Sequence, residues 1–184
     1  MKPDLLLRIA DEDDVADIVT LLNTCYRGSD GWTTEAGILT GERITPEAVQ
    51  DMLAGKRHYF FVLENNGQVD TDINDALLGC IVVQLDMTAH QQTAFVEMTA
   101  VHPSVQKQGV GGEMLQSVET FAGQHLRQGW MKLSVVEPRA ELISYYERRG
   151  YERTHNVYAL PEADYGQPIA EGLKMVELQK RLLG

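Results

Sequence analysis

Cysteine is nearly absent: Cys25 and Cys80 are the two in 184 residues. That is too few for a disulfide framework, and their spacing matches no metal site. They read as buried or incidental thiols of a reducing compartment, which makes the cytoplasm the expected location. Long apolar runs are missing as well. Leu5-Leu6-Leu7 stops at Arg8, far too short for the core of a secretion signal. No stretch approaches the roughly 20 apolar residues that span a bilayer, so no membrane partner is expected. Basic residues are scarce, 16 Lys and Arg against 27 Asp and Glu, for a formal charge of −11. Such acidity repels phosphate backbones and anionic headgroups, which argues against nucleic acid and tolerates cationic amines. Repeats and low-complexity linkers are also lacking. What remains is 43% hydrophobic and 23% charged, an ordinary globular composition. The length is that of one domain over 1–184, able to bury a core without staples.

Local patterns then order the chain. Leu5 to Ile9 reads as a strand, and Asp11 caps a helix whose apolar face is Val15, Ile18, Val19 and Leu22. The acidic run 11–14 is explained by helix-start electrostatics rather than by a cation site. Residues 27–45 carry weak periodicity and many turn formers. Thr45 and Pro46 open a short helix that Gly55 stops. Strands follow at His58 to Glu64 and Ala76 to Leu85, joined by an Asn65-Asn66-Gly67 turn and a polar loop over 68–75. A further strand spans Thr93 to Val101. The clearest helix face is Val110, Met114, Leu115, Val118, Ala122 and Leu126, and a strand follows from Trp130 to Val136. A helix over Ala140 to Arg149 and strands near Thr154 to Leu160 and Leu173 to Leu182 complete an α/β (α+β) layer structure.

The most informative stretch is EMTAVHPSVQKQGVGGE, Glu97 to Glu113. A strand runs into a polar loop, and Gly109, Gly111 and Gly112 open the long helix. Glycines admit an anion close to the backbone, and a helix N-terminus aims N–H groups and positive dipole at it. Three phosphate-binding templates compete. The P-loop fails because no Lys-Ser or Lys-Thr follows the glycines. The dinucleotide fingerprint fails because Met114 stands where its third glycine belongs, and seven residues separate Val101 from Gly109. The third template, [QR]-x-x-G-x-[GA], is met by Gln106-Lys107-Gln108-Gly109-Val110-Gly111.

With its preceding strand, His102-Pro103 turn and following helix, this segment resembles motif A of the GNAT superfamily of acyl-CoA-dependent N-acetyltransferases. A second segment, LSVVEPRAELISYYERRGY, resembles motif B, which ends Y-E-x-x-G-[FY]. Many members carry Asn seven residues before that Tyr; here the residue is Arg139. The resemblance implies a mostly antiparallel mixed sheet of about seven strands flanked by about four helices. It would be splayed between the fourth and fifth long strands, Thr93–Val101 and Trp130–Val136, with acetyl-CoA in the gap. Backbone groups of Thr99, Ala100 and Val101 would pair with the pantetheine as an added strand does. N–H groups from Gln106, Lys107, Gln108, Gly109, Val110, Gly111 and Gly112 would hold the pyrophosphate, with Arg139 beside the cofactor.

Transfer to an amine needs a base, an oxyanion donor and an acid for the leaving thiolate. The resemblance assigns the acid to Tyr146, the register of the motif favouring it over Tyr145. Val101 N–H is the expected donor to the acyl oxygen. Glu97 is the candidate base, placed by strand alternation on the face of Thr99 and Val101. An apolar setting would raise its pKa towards a useful value. The acceptor pocket is expected from residues 26–45 and the last hairpin, with Tyr26, Trp32, Thr33, Thr34 and Glu35 as candidates. His58, His90, His102, His125 and His155 show no metal-ligand spacing, so no metal is expected. The acceptor class is a small-molecule or peptide amine, and a homodimer stays open. Two alternatives stand: a non-catalytic acyl-CoA sensor, and an O-acyl or non-acetyl transferase on the same scaffold.

Overall fold

The computed structural model describes residues 6–65, 76–86 and 92–182. The turn and loop expected over 66–75, together with Leu5 and His90, lie outside them. The elements in order are β1 (Leu7–Ile9), α1 (Val15–Arg27), β2 (Leu39–Thr40), α2 (Pro46–Ala54), β3 (His58–Glu64), β4 (Leu77–Leu85) and β5 (Thr93–Val101). Then follow α3 (Val110–Gln124), β6 (Trp130–Val136), α4 (Ala140–Glu147), β7 (Glu152–Ala159), α5 (Glu162–Tyr165), β8 (Gln167–Pro168) and β9 (Lys174–Arg181). The caps read from sequence are present. Asp11 and Asp14 form a capping box, and Thr45 accepts from Ala48 N–H ahead of Pro46.

Seven strands form one sheet in the order β1-β3-β4-β5-β6-β9-β7. Each neighbouring pair is antiparallel except β5 and β6, which run parallel. Central strands feed alternate residues to two cores. Phe61, Ile81, Val83 and Leu133 pack with Met114, Val118 and Ile143 from α3 and α4. Phe60, Val62, Cys80 and Val82 pack with Ile18, Leu22 and Val49 from α1 and α2.

Two features of β5 build the site. Its pairing with β6 covers only Thr93–Val96 against Trp130–Leu133, and beyond Val96 the strands part. At that same point β5 carries a bulge. Thr99 faces Ile81 and Val96 faces Val83, so Val82 alone opposes Glu97 and Met98. The extra residue exchanges the faces. Ala94 and Val96 belong to the core under α3, whereas Met98 and Ala100 belong to the core under α1. The alternation expected from sequence is therefore broken between Glu97 and Thr99. Glu97 lies on the α1–α2 face, while Val101 packs towards α3.

A second ribbon, β2 with β8, pairs Leu39 with Pro168 and Thr40 with Gln167. Sequence reading missed it, because two residues a side carry no periodicity. It ties the loop after α1 to the last connection before β9.

Candidate active site

Where β5 and β6 part, a cleft of about 420 Å³ opens, lined by Thr99–Val101, the glycine loop, Arg139, Tyr145 and Tyr146. A second cleft, about 650 Å³, is lined by Glu42–Thr45, His58, Phe95–Met98, Ser134, Tyr158 and Asp164–Gly166. A narrow cavity of about 30 Å³ shares Tyr26, Thr99, Arg139 and Tyr146 with the first cleft, and Glu97, Ser134 and Tyr165 with the second. The bulge residue and the splay thus stand at one junction.

The loop into α3 is shaped by His102, whose Nδ1 accepts from Ser104 N–H at 3.3 Å. Lys107 (φ 60°) and Gly109 (φ 86°) take left-handed conformations, the second at the helix N-cap, where glycine carries no steric penalty. Gln106 N–H is engaged by Pro103 O at 3.3 Å, and Gly112 N–H by Gly109 O at 3.0 Å. Both were candidates for anion contact, so the donors left to that role run from Lys107 to Gly111. The Gln106 side chain has a different task. It donates to Val101 O at 2.8 Å and accepts from Trp32 N–H at 2.6 Å, fastening the 31–33 segment over the strand end.

Register decides where β5 points its backbone. His102 N–H bonds Leu78 O, and Ala100 pairs with Cys80, so even-numbered residues bond to β4. The N–H and C=O of Thr99 and Val101 therefore turn towards the splay. Tyr26 meets both groups of Thr99: its hydroxyl accepts from Thr99 N–H at 3.1 Å and donates to Thr99 O at 3.3 Å. Val101 O accepts from Gln106 and from Cys25 Sγ at 3.4 Å. The strand edge expected to pair throughout with pantetheine is thus largely satisfied from within. Val101 N–H is the strand group turned to the cleft that remains for a ligand.

Tyr146 is 6% exposed, at the junction of the cavities, and burial pushes its hydroxyl pKa up. Tyr145 forms a wall of the first cleft instead, its ring tilted against Trp32 at 5.5 Å and beneath Arg149 at 3.5 Å. Glu97 lies in the second cleft, with Oε2 3.6 Å from His58 Nε2. Burial raises the Glu97 pKa and lowers that of His58, which favours the neutral ring.

The residues predicted for the acceptor pocket divide between the first cleft and the narrow cavity, which Tyr26 and Glu35 line. Trp32, Thr33 and Tyr26 line the first cleft, and Thr34 closes a turn on Gly28 O at 2.7 Å. Glu35, 2% exposed, is spent on two arginines: Arg27 Nη1 at 2.6 Å and Arg139 Nη1 at 3.0 Å. Arg139 also holds Thr33 Oγ1 through Nε and Nη2 at 3.2 and 3.1 Å. The position where many relatives carry Asn here anchors the 33–35 segment to α4. No local signal announces this triad, since Glu35 and Arg139 are 104 residues apart. The second cleft is instead built from Glu42–Thr45 and from residues after β7, of which sequence reading had only the general region.

Among the described residues, no group of three or more His, Cys, Asp or Glu is placed to hold a metal ion. Nor is any helix there long and apolar enough to cross a membrane.

The strand order, the opened parallel pair and the glycine-started helix beside it define an acetyltransferase fold. The chain belongs to the acetyltransferase (GNAT) family, whose model matches residues 15–151. A search of curated protein sequences gave no significant match. Solved structures share the fold at low identity. A point mutant of spermidine N-acetyltransferase from Vibrio cholerae superposes with a TM-score of 0.69 at 13% identity, covering 97% of this chain and 94% of that one. The ribosomal-protein-S18-alanine N-acetyltransferase of Escherichia coli gives 0.66 at 15%, covering 98% and 95%. The protein smu.2055 from Streptococcus mutans gives 0.70 at 12%, covering 97% and 99%.

Proposed function

We propose that this protein transfers an acetyl group from acetyl-CoA to a primary amine of a small molecule or peptide, directly and in a ternary complex. The observation that carries the reading is the junction: two clefts meet where Tyr146 and Glu97 line one narrow cavity. The first cleft suits an acyl-CoA. Lys107 to Gly111 offer N–H groups and the α3 dipole to a pyrophosphate. A Cβ on Gly111 would come within 3.3 Å of both Tyr145 Oη and Val101 Cγ2, so the glycine keeps this groove open. Bound there, the cofactor supplies an activated thioester.

This chain's residues do the rest. Val101 N–H donates to the carbonyl oxygen as charge develops on it. Glu97 receives the proton that the acceptor nitrogen loses as it bonds to the acyl carbon. Tyr146, protonated at neutral pH, gives a proton to the sulfur as the C–S bond breaks. Exchange with solvent then returns Glu97 and Tyr146 to their starting states.

The direct test is thiol release from acetyl-CoA against a panel of amines and amino acids. CoA binding without turnover on any of them would favour a sensor. Gly111→Val is expected to weaken CoA binding at least about tenfold, some 1.4 kcal/mol, by calorimetric titration. Retained affinity in a variant that melts like the parent would remove the loop from the site. Glu97 acts as base only when ionised, and burial lifts its pKa above the ordinary carboxylate range. The rate should therefore rise with pH through that elevated value, and Glu97→Gln should erase this limb. An unchanged pH–rate profile in that variant would exclude Glu97.

A further inference from the structure

Arg43 in the second cleft is held in place without being neutralised. Its guanidinium lies 4.8 Å from the centre of the Tyr165 ring and 5.3 Å from that of Tyr26. Nη1 donates to Asp164 O at 3.0 Å. Among the described residues no carboxylate comes within ion-pair distance, and Nε is buried with no hydrogen-bond partner. The two other arginines nearby are treated differently. Arg27 bonds Glu35, Gly41 O and Tyr165 O, and Arg139 bonds Glu35 and Thr33. Of the three, Arg43 alone has a buried nitrogen without a partner.

A desolvated N–H without an acceptor is costly, so an unneutralised guanidinium fixed by two aromatic rings calls for an anionic partner. A guanidinium offers paired donors that a carboxylate accepts in bidentate fashion and that Lys cannot offer, and Arg43 lines the cleft. Glu97 lines the same cleft, and the Arg43 charge acts on it electrostatically, so the two groups share one space. Glu42 and Asp164 also line the cleft, on the Arg43 side: Glu42 precedes it in the chain and Asp164 O accepts from its Nη1. Arg43 from the 42–45 segment and Glu97 from β5 give one cleft both signs of charge, which suits a zwitterion better than a polyamine, although the net charge of −11 alone favours the polyamine.

We propose that the acceptor is an amino acid or a related amine bearing a free carboxylate, which docks on the Arg43 guanidinium while its amine faces Glu97. This rests on the acetyltransferase reading above and names its substrate class. The test compares common α-amino acids with their own carboxamides and their decarboxylated amines, by thiol release from acetyl-CoA. The expected kcat/KM for the best amino acid exceeds that for its carboxamide by about a hundredfold, one strong charged contact. Arg43→Gln should collapse that ratio towards one, chiefly through KM for the amino acid. Arg43→Lys, which keeps the charge but loses the fork, should restore only part of it. Carboxamides or decarboxylated amines used as well as amino acids, or a ratio unmoved in Arg43→Gln, would overturn the proposal. If no compound is acetylated, the acetyltransferase reading fails separately. Calorimetric titration of the same amino acids into the CoA-saturated protein then decides. Binding that Arg43→Gln abolishes supports the carboxylate site, and no binding in the parent protein refutes it.

Discussion

Tyr146→Phe is expected to lower kcat about a hundredfold or more while leaving CoA affinity within about twofold of the parent, the behaviour of a lost general acid. The substitution removes one oxygen and keeps the ring. Tyr146 packs against Tyr145 at 5.3 Å and Tyr151 at 5.6 Å, contacts that phenylalanine reproduces. Stability should therefore change little, and the loss should appear in turnover rather than in binding. Thiol release under saturating substrate measures kcat, and titration with CoA measures affinity. The parallel variant Tyr145→Phe serves as contrast, because that hydroxyl lies on the wall beside Gly111 rather than at the junction. A kcat within twofold of the parent in Tyr146→Phe would end the assignment, and a larger loss in Tyr145→Phe would transfer it.

The second large effect concerns stability. Glu35→Ala is expected to destabilise the protein by about 3–5 kcal/mol, since it strands two buried guanidinium groups. The side chains of Glu35, Arg27 and Arg139 are 3%, 12% and 9% exposed, so water cannot replace the lost carboxylate readily. Urea unfolding should show a lower midpoint with an unchanged slope. A loss below about 1 kcal/mol would mean that the arginines find other partners. The same variant should weaken CoA binding. Glu35 and Arg139 together hold Thr33 beside Trp32, and both residues line the first cleft. The triad thus positions a wall of the first cleft, although Glu35 itself faces neither cleft with a free oxygen.

Much of this architecture was legible because its signals are short-range. The capping box at Asp11 and Asp14, Thr45 and Pro46 at α2, and the apolar face from Val110 to Ala122 each act within one or two helical turns. The loop from Gln106 to Gly112 was legible for the same reason, since glycine spacing and helix start are set locally. The register of Y-E-x-x-G-[FY] also pointed to Tyr146 over its neighbour, and these two tyrosines do occupy different positions. The acceptor side was less readable. Trp32, Thr33 and Glu35 looked like pocket residues because they are polar or aromatic in an irregular segment, yet their partners lie beyond residue 105. Nothing near them in the chain says so.

Taken by itself, the sequence determined the order of the longer strands and helices, the glycine loop at the start of α3 and the motif tyrosine, all properties of neighbouring residues. Tertiary structure alone decided which face carries Glu97. The bulge arises from how β5 registers against β4, and a count along one strand cannot register it. It also decided that Glu35 neutralises Arg27 and Arg139 while Arg43 Nε is buried without a hydrogen-bond partner. Charges pair according to distance in space, and the three arginines differ in that distance rather than in kind. The scarcity of basic residues therefore limits what the surface attracts, but the fold still places one of them, Arg43, in the second cleft beside Glu97.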